Sequence, residues 1–287
     1  KDKFVFDVSH QGYVHKMLTG RNERIHTIRQ FQGLSGFLLH AESAHDAYGS
    51  GHAGTALSAA LGMAVARDLA GTDEHVVCIA GDAAFTCGPT FEALNNVGST
   101  KRLIVVLNDN GRSIDKNVGA IARYFHNLVT SGAYSSLRQK TADLMEKLGG
   151  KAARRIVHRL EESAKNVILP SVLFEEFGLR YFGPVDGHDL PALIQSFRFL
   201  RKQQEPVLLH VITEKGRGYE PALANPGKFH GLGPYQVETG ETQEADPTAS
   251  DVFARTLTDL GHADSQIVAI TAAMPGGTKL EVFQKEI

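Results

Sequence analysis

The stretch EHVVCIAGDAAFTCGPTFEALNNVGSTKRLIVVLNDN, residues 74–110, decides the fold. Residues 74–80 and 103–107 are short apolar runs rich in β-branched side chains, the pattern of strands buried on both faces. Between them, residues 90–97 carry apolar side chains at helical spacing. Strand, helix and strand within about 30 residues make a βαβ unit, whose two strands run parallel and lie close in one sheet. Gly81-Asp82 ends the first run and Asn108-Asp109-Asn110 ends the second. Asp82 and Asn110 are thereby predicted at the carboxyl ends of neighbouring strands, where open α/β sheets bind ligands. A carboxylate, an amide oxygen, a main-chain carbonyl just beyond and two diphosphate oxygens would nearly complete the octahedral oxygen shell of Mg²⁺. Gly-Asp and Asn-Asp are also ordinary turn chemistry, so these residues alone leave both readings open.

The rest of the chain extends this pattern. Residues 54–70 read as a helix of small side chains (Gly54, Ala56, Ala59, Ala60, Gly62, Ala64, Ala66). Gly51-His52-Ala53-Gly54-Thr55 stands at its start, where main-chain N–H groups attract phosphate, unless this is a plain glycine-rich helix start. Residues 131–165 are charged and helical in pattern: a mobile insertion over the site, or a surface helix pair. Residues 173–200 read as helix, a Gly-Pro-Val-Asp-Gly turn at 183–187, and helix, and residues 207–212 as another buried strand. Lys215-Gly216-Arg217-Gly218-Tyr219-Glu220 follows that strand as a basic, glycine-punctuated loop, and a solvated turn would look the same. His10 and His230 lie in loops, where a lone histidine is more often a surface residue than a catalyst.

Residues 1–235 are expected to form one domain, 236–249 a polar linker, and 250–287 the opening of a second α/β domain with a helix at 251–260 and a strand at 267–271. A piece that short rarely buries enough surface to fold unaided, since about 40 residues is the usual lower limit. The chain has 287 residues, 42% apolar and 22% charged, as expected of a packed globular protein. Its net charge of −2 gives no electrostatic reason to expect nucleic acid or an anionic membrane as partner. No stretch reaches the ~18 apolar residues of a membrane span. Two cysteines, Cys78 and Cys87, provide no disulfide framework, which fits the cytoplasm.

Eight segments in order, DVSHQGYVHKMLTGR (7–21), GHAGT (51–55), GDAAFT (81–86), FEALN (91–95), LNDN (107–110), YSSLR (134–138), GPVDGHD (183–189) and KGRGYEPA (215–222), resemble the 1-deoxy-D-xylulose-5-phosphate synthase family over nearly the whole chain. That resemblance implies a three-layer parallel sheet of the transketolase-like, thiamin diphosphate-binding fold. It implies a transferase that joins pyruvate, after decarboxylation, to glyceraldehyde 3-phosphate, for isoprenoid, thiamin and pyridoxol precursors, as a homodimer. Mg²⁺ would be held by Asp82, Asn110 and the carbonyl of Arg112. Gly51, His52, Ala53, Ala83, Ala84 and His10 would line the diphosphate and thiazolium, Tyr219 the cofactor pocket, and His230 would stand beside the reacting carbon. Three departures are expected to matter: Ala83 replaces the second glycine of Gly-Asp-Gly, Gly276 stands where the resemblance places an activating glutamate, and the pyrimidine-binding domain ends almost as it begins, without the third domain. The alternatives are a non-catalytic cofactor-binding or dimerising module, and one chain of a split transketolase-like enzyme.

Overall fold

The computed structural model describes residues 1–10, 12–111, 119–120, 172–242, 246–272 and 274–287. Arg112, the YSSLR segment and the charged stretch 131–165 lie outside these. The described residues fall into two compact units, which divide between Thr213 and Glu214.

The first unit is built on five parallel strands: β1 (Lys3–Phe6), β2 (Val76–Gly81), β3 (Leu103–Asp109), β4 (Arg180–Asp186) and β5 (Val207–Ile212). Their order across the sheet is β1-β2-β3-β5-β4, all neighbours parallel. The three predicted strands are the central ones. Their runs are continuously apolar because both faces are covered. Leu103, Val105 and Leu107 of β3 pack with Ala56, Ala60 and Ala64 of the helix α2 (Ala56–Ala70) and with Phe174. Ile104 and Val106, on the opposite face, pack with Val207, Leu209 and Leu200, and Leu193 and Phe197 close that side. Helix, sheet and helix make the three layers. The small side chains of α2 explain how it lies so close: Ala56, Ala60 and Ala64 are fully buried.

Two strands escape the sequence pattern. β1 sits at one edge, and only Val5 in it is fully buried, while Phe4 remains 42% exposed. β4 occupies the other edge and contains Gly183-Pro184, which reads locally as a turn. The Gly-Pro-Val-Asp-Gly turn expected at 183–187 is therefore corrected: Phe182 pairs with Leu209 and Val185 with Val211, and the irregularity between them absorbs the two residues. An edge strand tolerates proline because one side of its backbone has no ladder to complete. The motif then ends as a helix start: Asp186 accepts the His188 N–H at 2.9 Å, and Asp189 caps the helix Leu190–Leu200 by accepting the Ala192 N–H at 3.0 Å.

Residues 7–53 hold a short helix (Tyr13–Lys16) and irregular turns, fastened by buried charges rather than by ladders. The Arg21 guanidinium grips Asp46 with two bonds of 2.6 and 2.7 Å, and Lys16 meets Glu42 at 2.5 Å. Lys16 and Asp46 are wholly buried, so each charge depends on its partner. Asp46 also accepts the Leu39 N–H at 2.9 Å and lies 3.1 Å from His15 Nε2.

In the second unit, the helix Ala249–Ala263 packs on Glu281–Glu286, and Gly261 permits the close approach, since a Cβ there would lie 2.8 Å from the Phe283 ring. Gly276 lies in the short helix Pro275–Thr278. The strand expected at 267–271 is not formed: Val268 and Ile270 are 76% and 93% exposed, with no neighbouring strand among the described residues. A strand is stabilised by its ladder, so an apolar run without one stays extended and open.

The N-terminus of α2 is closed by Asp7, which follows β1. Its carboxylate accepts the N–H groups of Gly54, Thr55 and Ala56 at 3.0, 3.1 and 3.1 Å. Charge-assisted bonds to orphan helix donors are worth about 2 kcal/mol. Asp7→Ala is therefore expected to lower stability by about 2 kcal/mol, read as a reduced midpoint in urea unfolding with an unchanged slope.

Candidate cofactor and metal site

The site grows from the β2–β3 register. Gly81 pairs with Asn108, so Asp82 leaves β2 beside Asp109 at the carboxyl end of the sheet. Asp82 opens a 3₁₀ turn, Asp82–Thr86, and is almost fully buried. The N–H groups of Ala83 and Gly111 both reach its carboxylate. The turn after β3 therefore closes over Asp82, and Asn110, half-buried, stands in that turn. Burial, and next the charge of Asp109, push the Asp82 carboxyl up to about 7.

Asp109 is the residue that the sequence reading passed over. It is 4% exposed. Its Oδ1 accepts the Gly111 N–H at 3.1 Å, and its Oδ2 lies 3.1 Å from Nε2 of His210. Nδ1 of His210 lies 2.7 Å from the Tyr181 hydroxyl. At the end of β5, Thr213 fastens the same turn, donating its N–H to the Asp109 carbonyl at 2.9 Å and its hydroxyl to Asn108 Oδ1 at 2.8 Å. One signal was present in the sequence: His210 is the single polar residue in the buried run VLLHVI.

The donor set fits a hard cation. It offers a buried carboxylate crowded by a second one, next to an amide, and oxygen donors of this kind suit Mg²⁺. Among the described residues no three or more His, Cys, Asp and Glu gather as a group that could hold a metal ion by themselves. Ala83 carries no strain. Positive φ at non-glycine positions is confined to Val8, Ser9, Arg29, Gln32, Arg102 and Lys279 among the described residues, so Ala83 lies outside the left-handed region that favours glycine.

Around this centre, Ala84 is a core residue, buried with Phe85 and Leu94, and offers only its backbone to a ligand. At the α2 start, Asp7 takes the N–H groups of residues 54–56. His52 and Ala53 remain exposed, and Gly51, with φ of 145°, turns the chain there. His10 is half-buried and follows two left-handed residues, Val8 (φ 54°) and Ser9 (φ 66°). Burial, and next the Asp7 charge, push the Cys87 thiol up.

Tyr219 and His230 belong to the second unit. Tyr219 packs edge-on to Phe229 at 5.5 Å between ring centroids, and its hydroxyl donates to the Val237 carbonyl at 2.6 Å. Lys215 Nζ lies 2.7 Å from Nδ1 of His230. An ammonium only donates, so Nδ1 accepts and the ring proton of neutral His230 sits on Nε2.

The family model for 1-deoxy-D-xylulose-5-phosphate synthase matches residues 1–213, which include every element of this centre. The chain belongs to that family. It is 63% identical over 286 residues to the 1-deoxy-D-xylulose-5-phosphate synthase of Acidobacterium capsulatum, covering 99% of this chain and 46% of that protein. It is 60% identical to that of Methylacidiphilum infernorum, covering 99% of this chain and 45% of that one. The chain thus spans just under half the length of these synthase relatives. Among solved structures, transketolase from Leishmania mexicana superposes with a TM-score of 0.50 at 18% identity, over 74% of this chain and 28% of that one, which supports the shared fold.

The raised Asp82 carboxyl makes a stability prediction for the cation-free chain. The folded form favours the protonated acid, so this contribution is fully present below about pH 4 and is lost as pH rises to about 7. Asp82→Asn removes the ionisation. It is expected to stabilise the cation-free chain at pH 8 by up to about 4 kcal/mol, and to flatten the fall in thermal midpoint between pH 4 and 7. A parallel fall in both proteins would refute it.

Proposed function

We propose that this chain carries the diphosphate and Mg²⁺ half-site of a thiamin diphosphate-dependent 1-deoxy-D-xylulose-5-phosphate synthase. The observation that supports it best is the buried Asp82 carboxylate held against the Asn110–Gly111 turn, in a chain of this family. In this reading Asp82, Asn110 and the Arg112 carbonyl hold Mg²⁺. Gly51, His52, Ala53, Ala83, Ala84 and His10 line the cofactor, and Tyr219 belongs to its pocket. With Mg²⁺ held there, the crowding of Asp82 by Asp109 would be offset and the ionised Asp82 carboxylate favoured. Bound thiamin diphosphate supplies a nucleophilic carbon for the decarboxylative joining of pyruvate to glyceraldehyde 3-phosphate. His230, its Nδ1 occupied by Lys215, holds a proton at Nε2 that it can donate to a substrate oxygen. The product would feed isoprenoid, thiamin and pyridoxol synthesis.

Cytoplasmic placement and a homodimer complete this reading. It agrees with two free cysteines and with the lack, among the described residues, of a helix long and apolar enough to cross a membrane. Because Gly276 stands where the resemblance places an activating glutamate, the lone chain is expected to bind without turning over. That is also how a non-catalytic module or one chain of a split enzyme would behave.

Isothermal titration with thiamin diphosphate in the presence of Mg²⁺ tests the half-site. Saturable heat is expected below millimolar cofactor, with Asp82→Ala weakening binding at least about tenfold. A flat thermogram at millimolar cofactor would end the proposal. Pyruvate decarboxylation by the lone chain is expected to be undetectable.

A further inference from the structure

His210 sits in the centre of a buried strand, 1% exposed, between Leu209 and Val211. An ionisable ring there gains nothing over an apolar side chain of the same volume unless its two nitrogens are used. Both are used, and in a fixed direction. The Asp109 carboxylate only accepts, so His210 donates Nε2–H to Oδ2 at 3.1 Å. Nδ1 is then the acceptor, and the Tyr181 hydroxyl donates to it at 2.7 Å. Asp109 Oδ1 remains for the Gly111 N–H at 3.1 Å. The same N–H also reaches Asp82. A single polar line thus crosses β4, β5 and β3 and ends in the turn that carries Asn110.

The backbone is shaped around this line. Gly183 of β4, with φ of 122°, lies against His210: a Cβ there would fall 2.5 Å from the His210 carbonyl oxygen. The Tyr181 ring is held by stacking on Phe174, with centroids 6.3 Å apart. Tyr181 and His210 reach that turn through Asp109. They act on the turn.

We propose that Tyr181 and His210 are positioning residues for the cation site: through Asp109 they set the Asn110–Gly111 turn against Asp82. The inference rests on the Mg²⁺ half-site reading above. Groups behind metal ligands fix the orientation of those ligands, and their loss typically weakens metal affinity about 10- to 100-fold.

The test uses this chain and titrates Mg²⁺ at fixed thiamin diphosphate, recording the Mg²⁺ concentration at half-saturation and, separately, the cation-free thermal midpoint. Tyr181→Phe keeps the ring and its stack and removes only the hydroxyl. It should raise the half-saturation concentration several-fold, with the cation-free midpoint little changed. His210→Leu should raise it about tenfold or more, and His210→Gln, which restores an N–H toward Asp109, should recover most of the loss. Should His210→Leu fail to fold, Tyr181→Phe and His210→Gln decide the matter. If wild type binds and Tyr181→Phe shifts only the midpoint and not the Mg²⁺ half-saturation, the relay is structural and the inference is wrong while the half-site stands. If wild type itself does not bind, the half-site reading falls and the inference with it.

Discussion

The parallel pairing of β2 with β3, Gly81 opposite Asn108, is the constraint on which the rest depends. It makes two chain segments leave the sheet at the same level, and it brings Asp82 to Asp109 without any contact between their side chains being required. A slip of one residue would turn every side chain of the strand to the other face, putting Val105 and Leu107 where Ile104 and Val106 pack. The two apolar layers therefore hold the register, and the register holds the carboxylates. Hydrophobic burial on two faces supplies the energy for a polar arrangement that is unfavourable by itself.

That arrangement is balanced locally. Asp82 draws on the N–H groups of Ala83 and Gly111, and Asp109 on Gly111, His210 and, through its carbonyl, Thr213. These donors lessen the desolvation of two neighbouring acids but do not cancel it, as the elevated Asp82 carboxyl records. In the proposed function, the cation meets that shortage of positive charge. The buried cluster of Lys16, Arg21, Glu42 and Asp46 shows the opposite solution within the same unit: two cations matched to two anions.

What the sequence made legible follows from periodicity. Residues 74–80, 103–107 and 207–212 announce themselves because central strands of a parallel sheet are apolar throughout. The edge strands do not, since Lys3–Phe6 shows only Val5 to the core and Arg180–Asp186 is interrupted by Gly183-Pro184. Asp82 and Asn110 were legible from turn position. Asp109 was not, although it stands between two residues that were noticed, because its partners His210 and Tyr181 come from strands distant in sequence. The run 267–271 reads as a strand by composition, yet composition cannot provide a neighbour.

The segment bearing His10 shows how a strained backbone is retained. Val8 and Ser9 both adopt left-handed φ, and a β-branched residue is disfavoured there by about 1–2 kcal/mol. Such strain persists only where neighbours over-determine it. Here Ser50 donates its hydroxyl to the Val8 carbonyl at 2.8 Å, Leu38 donates its N–H to Ser9 Oγ at 2.9 Å, and Asp7 is tied to three N–H groups of α2. The N–H groups at the start of α2 are thus committed to Asp7, in the turn before His10.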